Sequence, residues 1–181
     1  DPNFAKKVDT EKAVWLDYGK DNYAGVTWNN IPDADGRKLF IGWMSNWDYA
    51  QVVPTTTWRS SMTIPREIQL IKKGNDYSLI SNPVTEINKY ISKTTTKKSL
   101  KRKGSLSLLE GEKIDLTQAI VAFDLKNLKQ DTYTITLSNK AGESLKFGIN
   151  NKENYLFIDR SKAGKIDFSE KFASTISKAP L

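Results

Sequence analysis

Along most of the chain, apolar and polar residues alternate with a period of two, the pattern of strands that bury one face. In the first half the runs Ala13–Asp17, Tyr23–Trp28, Lys38–Met44, Ser60–Ile64, Ile68–Lys72 and Tyr77–Ser81 predict strands. They are rich in β-branched and aromatic residues, which pack well on a pleated surface. Gly, Pro, Asn or Asp bounds each run, and Pro32-Asp33-Ala34-Asp35-Gly36 supplies turn chemistry between two of them. Gly74-Asn75-Asp76 predicts a tight hairpin between Ile68–Lys73 and Tyr77–Ser81. Asn82-Pro83 ends this block, and Val84–Tyr90 predicts a turn or short helix. A second block predicts strands at Gly104–Leu109, Ala119–Leu125, Tyr133–Ser138, Ser144–Asn150 and Tyr155–Asp159. Their short spacing points to an antiparallel β-sandwich. The tail, Phe168–Leu181, carries no pattern that predicts a closing strand. No fixed-period repeat relates the two blocks, and the chain is expected to be all-β.

Composition narrows the chemistry. The length of 181 residues suits one or two domains, and 38% hydrophobic residues with 10% aromatics are enough for packed cores. No apolar run approaches the roughly 20 residues that cross a bilayer. The chain contains neither Cys nor His. Disulfides, thiolate or imidazole metal sites, Cys nucleophiles and Ser-His-Asp triads are therefore excluded. Catalysis would have to run on Asp, Glu, Lys, Tyr or Arg, and neither a metal nor a cofactor is expected. The net charge of +7 is concentrated: Lys93, Lys97, Lys98, Lys101, Arg102 and Lys103 fall within eleven residues that hold no acid. Such a run suits a patch for an anionic polymer or a solvated linker whose lysines discourage edge pairing. No aromatic side chain is interleaved with it, which argues against a nucleic-acid partner. The expected division is therefore 1–83, a basic linker at 84–103, and 104–181.

The most informative segment is aromatic. All five tryptophans, Trp15, Trp28, Trp43, Trp47 and Trp58, lie in the first third. Tyr, Asn, Asp and Arg are interleaved with them. A flat apolar ring beside amides and carboxylates is how proteins hold a sugar, with the ring against C–H groups and the polar arms on hydroxyls. Alternation from Phe40 places Gly42 and Met44 on one face and Ile41 and Trp43 on the other, with Trp47 on the following loop. Tyr18 and Tyr23 read as core aromatics. Trp58, Arg59, Pro65, Arg66 and Glu67 read as structural, the arginines pairing with carboxylates at element junctions. Asp159-Arg160 reads as a strand-end ion pair.

These residues carry a resemblance. Asp17-Tyr18-Gly19-Lys20-Asp21-Asn22-Tyr23-Ala24, then Gly42-Trp43-Met44-Ser45-Asn46-Trp47-Asp48-Tyr49-Ala50, follow one another in order. Pro54-Thr55 and Trp58-Arg59-Ser60-Ser61-Met62-Thr63-Ile64-Pro65-Arg66-Glu67 complete the set. This run resembles the end of the catalytic domain of glycoside hydrolase family 32, the invertases, levanases and exo-inulinases, and the bacterial levanase type most. Leu156-Phe157-Ile158-Asp159-Arg160-Ser161, with Gly164 and Phe168, resembles more faintly the family's C-terminal sandwich. The resemblance implies the last blade of a five-bladed β-propeller followed by a β-sandwich, both incomplete. It implies retaining hydrolysis of β-fructosidic bonds in levan, inulin or sucrose, which uses two carboxyl groups about 5–5.5 Å apart. The family's nucleophile, stabiliser and acid/base motifs, of the WMNDPNG, RDP and EC types, do not occur in this sequence. The catalytic carboxylates are expected upstream of Asp1, so the chain by itself is expected to be inactive.

By the same resemblance, Asp17, Lys20, Asn46 and at least one of Trp43 and Trp47 contact substrate. A bacterial-type, extracytoplasmic location and self-association through exposed blade edges are also expected. Two other functions compete: a non-catalytic carbohydrate-binding sandwich and a basic polymer-binding domain using Lys93–Lys103. The absence of Trp beyond Trp58 counts against the first, since sandwich lectins stack sugars on exposed aromatics. The second requires binding that collapses steeply with salt.

Overall fold

A computed structural model describes residues 15–98, 104–109, 114–173 and 176–181. Two compact units divide the chain: Asp1–Ile87 with Gln130–Leu181, and Asn88–Lys129.

The first unit holds two antiparallel sheets. In the first sheet, β1 (Tyr23–Thr27), β2 (Leu39–Met44), β4 (Arg66–Lys73) and β5 (Asp76–Pro83) lie in the order β1-β2-β4-β5, and the short β3 (Ser61–Met62) also pairs with β2. β3 and β4 read as one strand broken at Pro65, which has no N–H for the ladder. β3 faces the far half of β2 through Trp43↔Met62, and β4 faces the near half through Phe40↔Arg66. Thr63 spans the break: its N–H donates to the Gly42 carbonyl at 2.8 Å, and its hydroxyl accepts from the Gly42 N–H at 2.9 Å. The result is a four-stranded meander, the build of a propeller blade. The β4–β5 ladder runs unbroken from Arg66↔Pro83 to Lys73↔Asp76, around a turn in which Gly74 takes a φ of +65°. A primed two-residue turn requires that freedom.

Two close approaches shape the β1–β2 end. The register slips between Tyr23↔Trp43 and Val26↔Ile41, a bulge in which Ala24 takes a φ of 48°. Gly25 follows the bulge, and a Cβ there would lie 2.1 Å from the Phe40 ring. Phe40 is thus buried flat across β1, and with Tyr49, Ala50 and Val84 it makes up the buried apolar set among the described residues. A Cβ at Gly42 would lie 2.0 Å from Asn22 Oδ1, so the Asn22 amide sits directly on β2.

The second sheet is the meander β6 (Thr132–Ser138), β7 (Ser144–Asn150), β8 (Tyr155–Lys162) and β9 (Ile176–Pro180). Its pairs Tyr133↔Ile149, Ile135↔Phe147 and Leu137↔Leu145 put apolar side chains on one face, which continues through Leu156 and Ile158. The opposite face of β6 is Thr132, Thr134, Thr136 and Ser138.

Several sequence expectations require correction. The tail does form a strand, because β9 pairs with β8 from Asp159↔Ile176 to Tyr155↔Pro180. Its Lys, Ala and Pro give little strand signal, yet pairing with an open edge suffices, and Pro is tolerated there. Lys178 adds a cation–π contact 4.2 Å from the centre of the Tyr155 ring. In contrast, Gly104–Leu109 and Ala119–Leu125, in the second unit, are not strands. Their alternation defines a face but supplies no ladder partner, and Ile120 and Val121 stay exposed. Of Ala13–Asp17, the described residues Trp15–Asp17 are not strand, and the first two lie outside the described residues. Val84–Tyr90 contains a 3-10 helix at Thr85–Tyr90. Arg37 ties this helix to the preceding turn, reaching Asp35 at 2.6 Å and Glu86 at 2.8 Å. The guanidinium holds the Asp35 carboxyl below its usual range. Lys93, Lys97 and Lys98 are exposed in irregular chain, and the rest of the basic run lies outside the described residues.

Candidate functional site

Beyond Met44 the chain turns sharply, and Asn46 organises the turn. Its side-chain oxygen accepts from the Asp48 N–H at 2.9 Å, and its carbonyl accepts from the Ala50 N–H at 2.9 Å. Such Asx turns are why Asn is common where a strand reverses. The turn lifts Trp47 off the strand end and sets it against Trp43, with ring centres 5.1 Å apart at 60°. Tyr23, opposite Trp43 in the β1–β2 register, meets both rings edge-on, at 6.3 and 6.5 Å. These aromatics are not core. Trp47 is 62% exposed and Tyr23 53% exposed. The reading of Tyr18 and Tyr23 as core residues is corrected accordingly, since Tyr18 is exposed as well.

Asp17 sits elsewhere, in the irregular chain before β1. Its carboxylate accepts from the Gly19 N–H at 3.0 Å, from Asn22 Nδ2 at 3.4 Å and from Arg66 Nη1 at 3.3 Å. Arg66 also lies over the Phe40 ring, 5.3 Å from its centre. Asp17 and Asn22 line a cavity of about 290 Å³ with Trp15, Leu16, Gly19, Gly25 and Phe40. Asn22 Oδ1, which lines this cavity, and Arg66 Nε and Nη2, beside Asp17, are buried without a hydrogen-bond partner. Buried polar groups in that state cost free energy, so the cluster is the least satisfied part of the sheet.

Lys20 and Asn46 form a third group. Asn46 Nδ2 donates to the Lys20 carbonyl at 3.1 Å, while the Lys20 ammonium donates to the carbonyl of Lys171, beyond β8. Next to them Tyr49 is 3% exposed, and its hydroxyl donates to Asp21. Burial, and then that hydrogen bond, push the Tyr49 phenol above its ordinary pKa.

The five candidate residues thus occupy three neighbouring places. Trp43 and Trp47 come together, Lys20 and Asn46 come together, and Asp17 is joined to Arg66 instead. Arg59 donates to the Val53 and Thr55 carbonyls at 2.5 and 3.1 Å. Arg160 donates to the Phe172 carbonyl at 2.7 Å and lies 3.7 Å from the centre of that ring, while Asp159 accepts from the Ser161 N–H. Sequence reasoning missed Tyr23, Asn22 and Tyr49 as members of these groups. Tyr23 joins Trp43 through the β1–β2 register, which period-two alternation does not specify.

Residues 1–83 match the model of the glycosyl hydrolases family 32 N-terminal domain, and residues 86–181 match that of the family 32 C terminal. The chain belongs to glycosyl hydrolase family 32. Among family relatives, the levanase of Bacillus subtilis (strain 168) is 32% identical over 99% of this chain, which corresponds to 27% of that protein. The extracellular exo-inulinase of Aspergillus awamori is 33% identical over 90% of the chain and 30% of its own length. The chain therefore spans less than a third of either relative. A crystal structure of the Aspergillus awamori exo-inulinase superposes with a TM-score of 0.64 at 24% identity, covering 92% of this chain and 32% of that one. A fructofuranosidase from Schwanniomyces occidentalis, complexed with fructose, gives 0.56 at 22% identity, covering 92% and 35%. The fold is thus that of the family 32 enzymes, with the first sheet as propeller blade and the second as sandwich sheet.

Proposed function

We propose that this chain contributes the last propeller blade (1–83), a basic linker (84–103) and sandwich strands (104–181) to a retaining glycosidase that cleaves β-fructosidic bonds. The substrates would be levan, inulin or sucrose, and the setting extracytoplasmic. Its relatives support this reading by their names, levanase and extracellular exo-inulinase. The single observation that carries a sugar-facing role is the cluster of exposed Tyr23 and Trp47 around half-buried Trp43. Its rings offer the apolar wall of a fructose pocket, with Asp17, Lys20 and Asn46 as nearby polar arms. Retaining cleavage needs a nucleophile and an acid/base a short distance apart. The family's motifs for both are absent from this sequence, so the wall works only beside carboxylates supplied from elsewhere.

Purified chain is expected to release no fructose from levan, inulin or sucrose, and turnover that survives removal of contaminating enzymes overturns this assignment. Indole N–H resonances of Trp43 and Trp47, identified with Trp43→Phe and Trp47→Phe, should shift with high concentrations of fructose without saturating. Unmoved indoles would remove the sugar-wall reading. Saturable calorimetric binding of levan oligosaccharides would favour a self-sufficient binding module instead. Edge pairing of blades predicts concentration-dependent self-association.

A further inference from the structure

We infer that the turn following β8, centred on Phe172 and Lys171, is a positioning element for Trp47. This rests on Trp47 being a sugar-facing residue, and it extends that reading by naming what fixes the ring. Trp47 itself is exposed, and among the described residues its ring contacts are with Trp43 and Tyr23. Its direction is therefore set by the backbone on either side.

Both sides are held. Asn46, before it, is tied to the Lys20 carbonyl, and the Lys20 ammonium is tied to the Lys171 carbonyl. Asp48, after it, accepts from the Lys171 ammonium at 3.1 Å. Tyr49 is buried, with its ring edge-on to Phe172 at 5.1 Å and to Phe168 at 6.4 Å. The seat under Tyr49 is itself braced. Phe168 and Phe172 stack with centres 4.4 Å apart, and Arg160 covers Phe172 and bonds its carbonyl. Beyond the turn's own bonds, these restraints on residues 46, 48 and 49 lead to the segment between β8 and β9 or to Lys20 and Asp21, just before β1. Aromatic pairs and cation–π contacts are directional, so the seat favours one orientation of Tyr49. Through the one intervening residue of the turn, Asp48, that orientation is passed to Trp47. The sandwich sheet thus acts on the aromatic wall of the blade by packing and touches no sugar.

A sugar-free readout tests this. Two indoles 5.1 Å apart couple excitonically, and the part of the circular dichroism couplet lost in Trp47→Phe belongs to the Trp43–Trp47 pair. In the full chain, Phe172→Ala should lose most of that component while the far-ultraviolet β signal persists. Phe172→Leu keeps apolar volume without the ring contacts and should lose part of it, and Tyr49→Phe, which keeps the ring, should retain it. A couplet unchanged in both Phe172→Ala and Phe172→Leu overturns the proposal, as does loss in Tyr49→Phe equal to that in Phe172→Ala. Should Phe172→Ala unfold, Phe172→Leu decides alone. Failure of the fructose shifts with the couplet behaving as expected overturns the sugar reading and leaves the positioning intact.

Discussion

The two sheets of the first unit are both antiparallel meanders and differ in where their aromatic residues stand. In the second sheet, the β6–β7 pairs keep apolar with apolar on one face, and on the other set Thr and Ser of β6 against Asn150, Gly148, Lys146 and Ser144. In the first, tryptophan and tyrosine rings stand exposed at strand ends while an arginine and an asparagine lie partly buried and short of partners. A sheet that only needed to fold would distribute these residues the other way. The proposed reading of the first sheet as the site-bearing one and the second as its support rests on this difference. On that reading, Asp48 and Tyr49 are held by Lys171, Phe168 and Phe172, which lie between β8 and β9.

The sharpest way to break this comparison is through backbone contacts. Gly148 in β7 would place a Cβ 1.9 Å from the Tyr133 carbonyl oxygen, which is backbone and cannot step aside. Gly148→Ala should destabilise the second sheet by about 3 kcal/mol or more. If the second sheet is a support, the Trp43–Trp47 couplet should fall in step with it. Gly25→Ala meets the Phe40 ring at 2.1 Å, a side chain that can shift, and should cost about 1–3 kcal/mol. Urea midpoints read by circular dichroism rank the two. A larger loss for Gly25→Ala would mean the blade, not the sandwich sheet, is the rigid partner.

Next comes the polar cluster of the first sheet. Arg66→Met removes the ion pair to Asp17 and the cation over Phe40. Asp17 is about a third exposed, so the loss is discounted from that of a fully buried pair, to about 1–3 kcal/mol. Because Arg66 also leaves two nitrogens unpaired, an apolar replacement of similar volume could recover part of the cost. Chemical denaturation of Arg66→Met against Asp17→Asn measures it. Equal stability in all three proteins would show that the pair adds nothing to the fold.

How much of this was legible in the sequence follows from what each signal encodes. The β4–β5 hairpin was readable because Gly74-Asn75 names its own turn and the pairing is local. The aromatic segment was readable because Trp, Tyr and Asn are rare together. Strand partners were not: period-two alternation gives a face, never a neighbour. That is why 104–109 and 119–125 looked like strands and β9 did not. The Arg66–Asp17 pair joins residues 49 apart, and the Lys171–Asp48 pair residues 123 apart. No local pattern reports contacts of that span, so Asp17 was read as an arm of the sugar site while its observed partner was read as a separate structural arginine.

The alkaline limb of stability sharpens the junction further. Tyr49 has a raised pKa in the folded protein because burial, and then its bond to Asp21, favour the protonated phenol. The folded state therefore holds this proton where the unfolded chain would release it. The stabilisation is complete below the ordinary tyrosine pKa of about 10 and is lost as pH rises beyond it. Titration at 295 nm should show one of the seven tyrosines ionising last. Tyr49→Phe should remove that late step, flatten the stability loss above pH 10, and cost about 0.5–1.5 kcal/mol at neutral pH. Simultaneous ionisation of all seven would place the Tyr49 hydroxyl in solvent.

The smallest effect separates charge from packing at the same junction. Lys171 and Asp48 are both more than half exposed, so their 3.1 Å pair should contribute less than about 1 kcal/mol and fade with salt. Lys171→Ala keeps the backbone carbonyl that accepts from Lys20, and it leaves the Phe168–Phe172 seat in place. Stability in 0.5 M salt should match the parent chain. A loss that persists at high salt would mean that the aliphatic stem of Lys171 packs against the turn. The seat for Tyr49 would then extend to Lys171 itself, and charge would be the lesser part of its role.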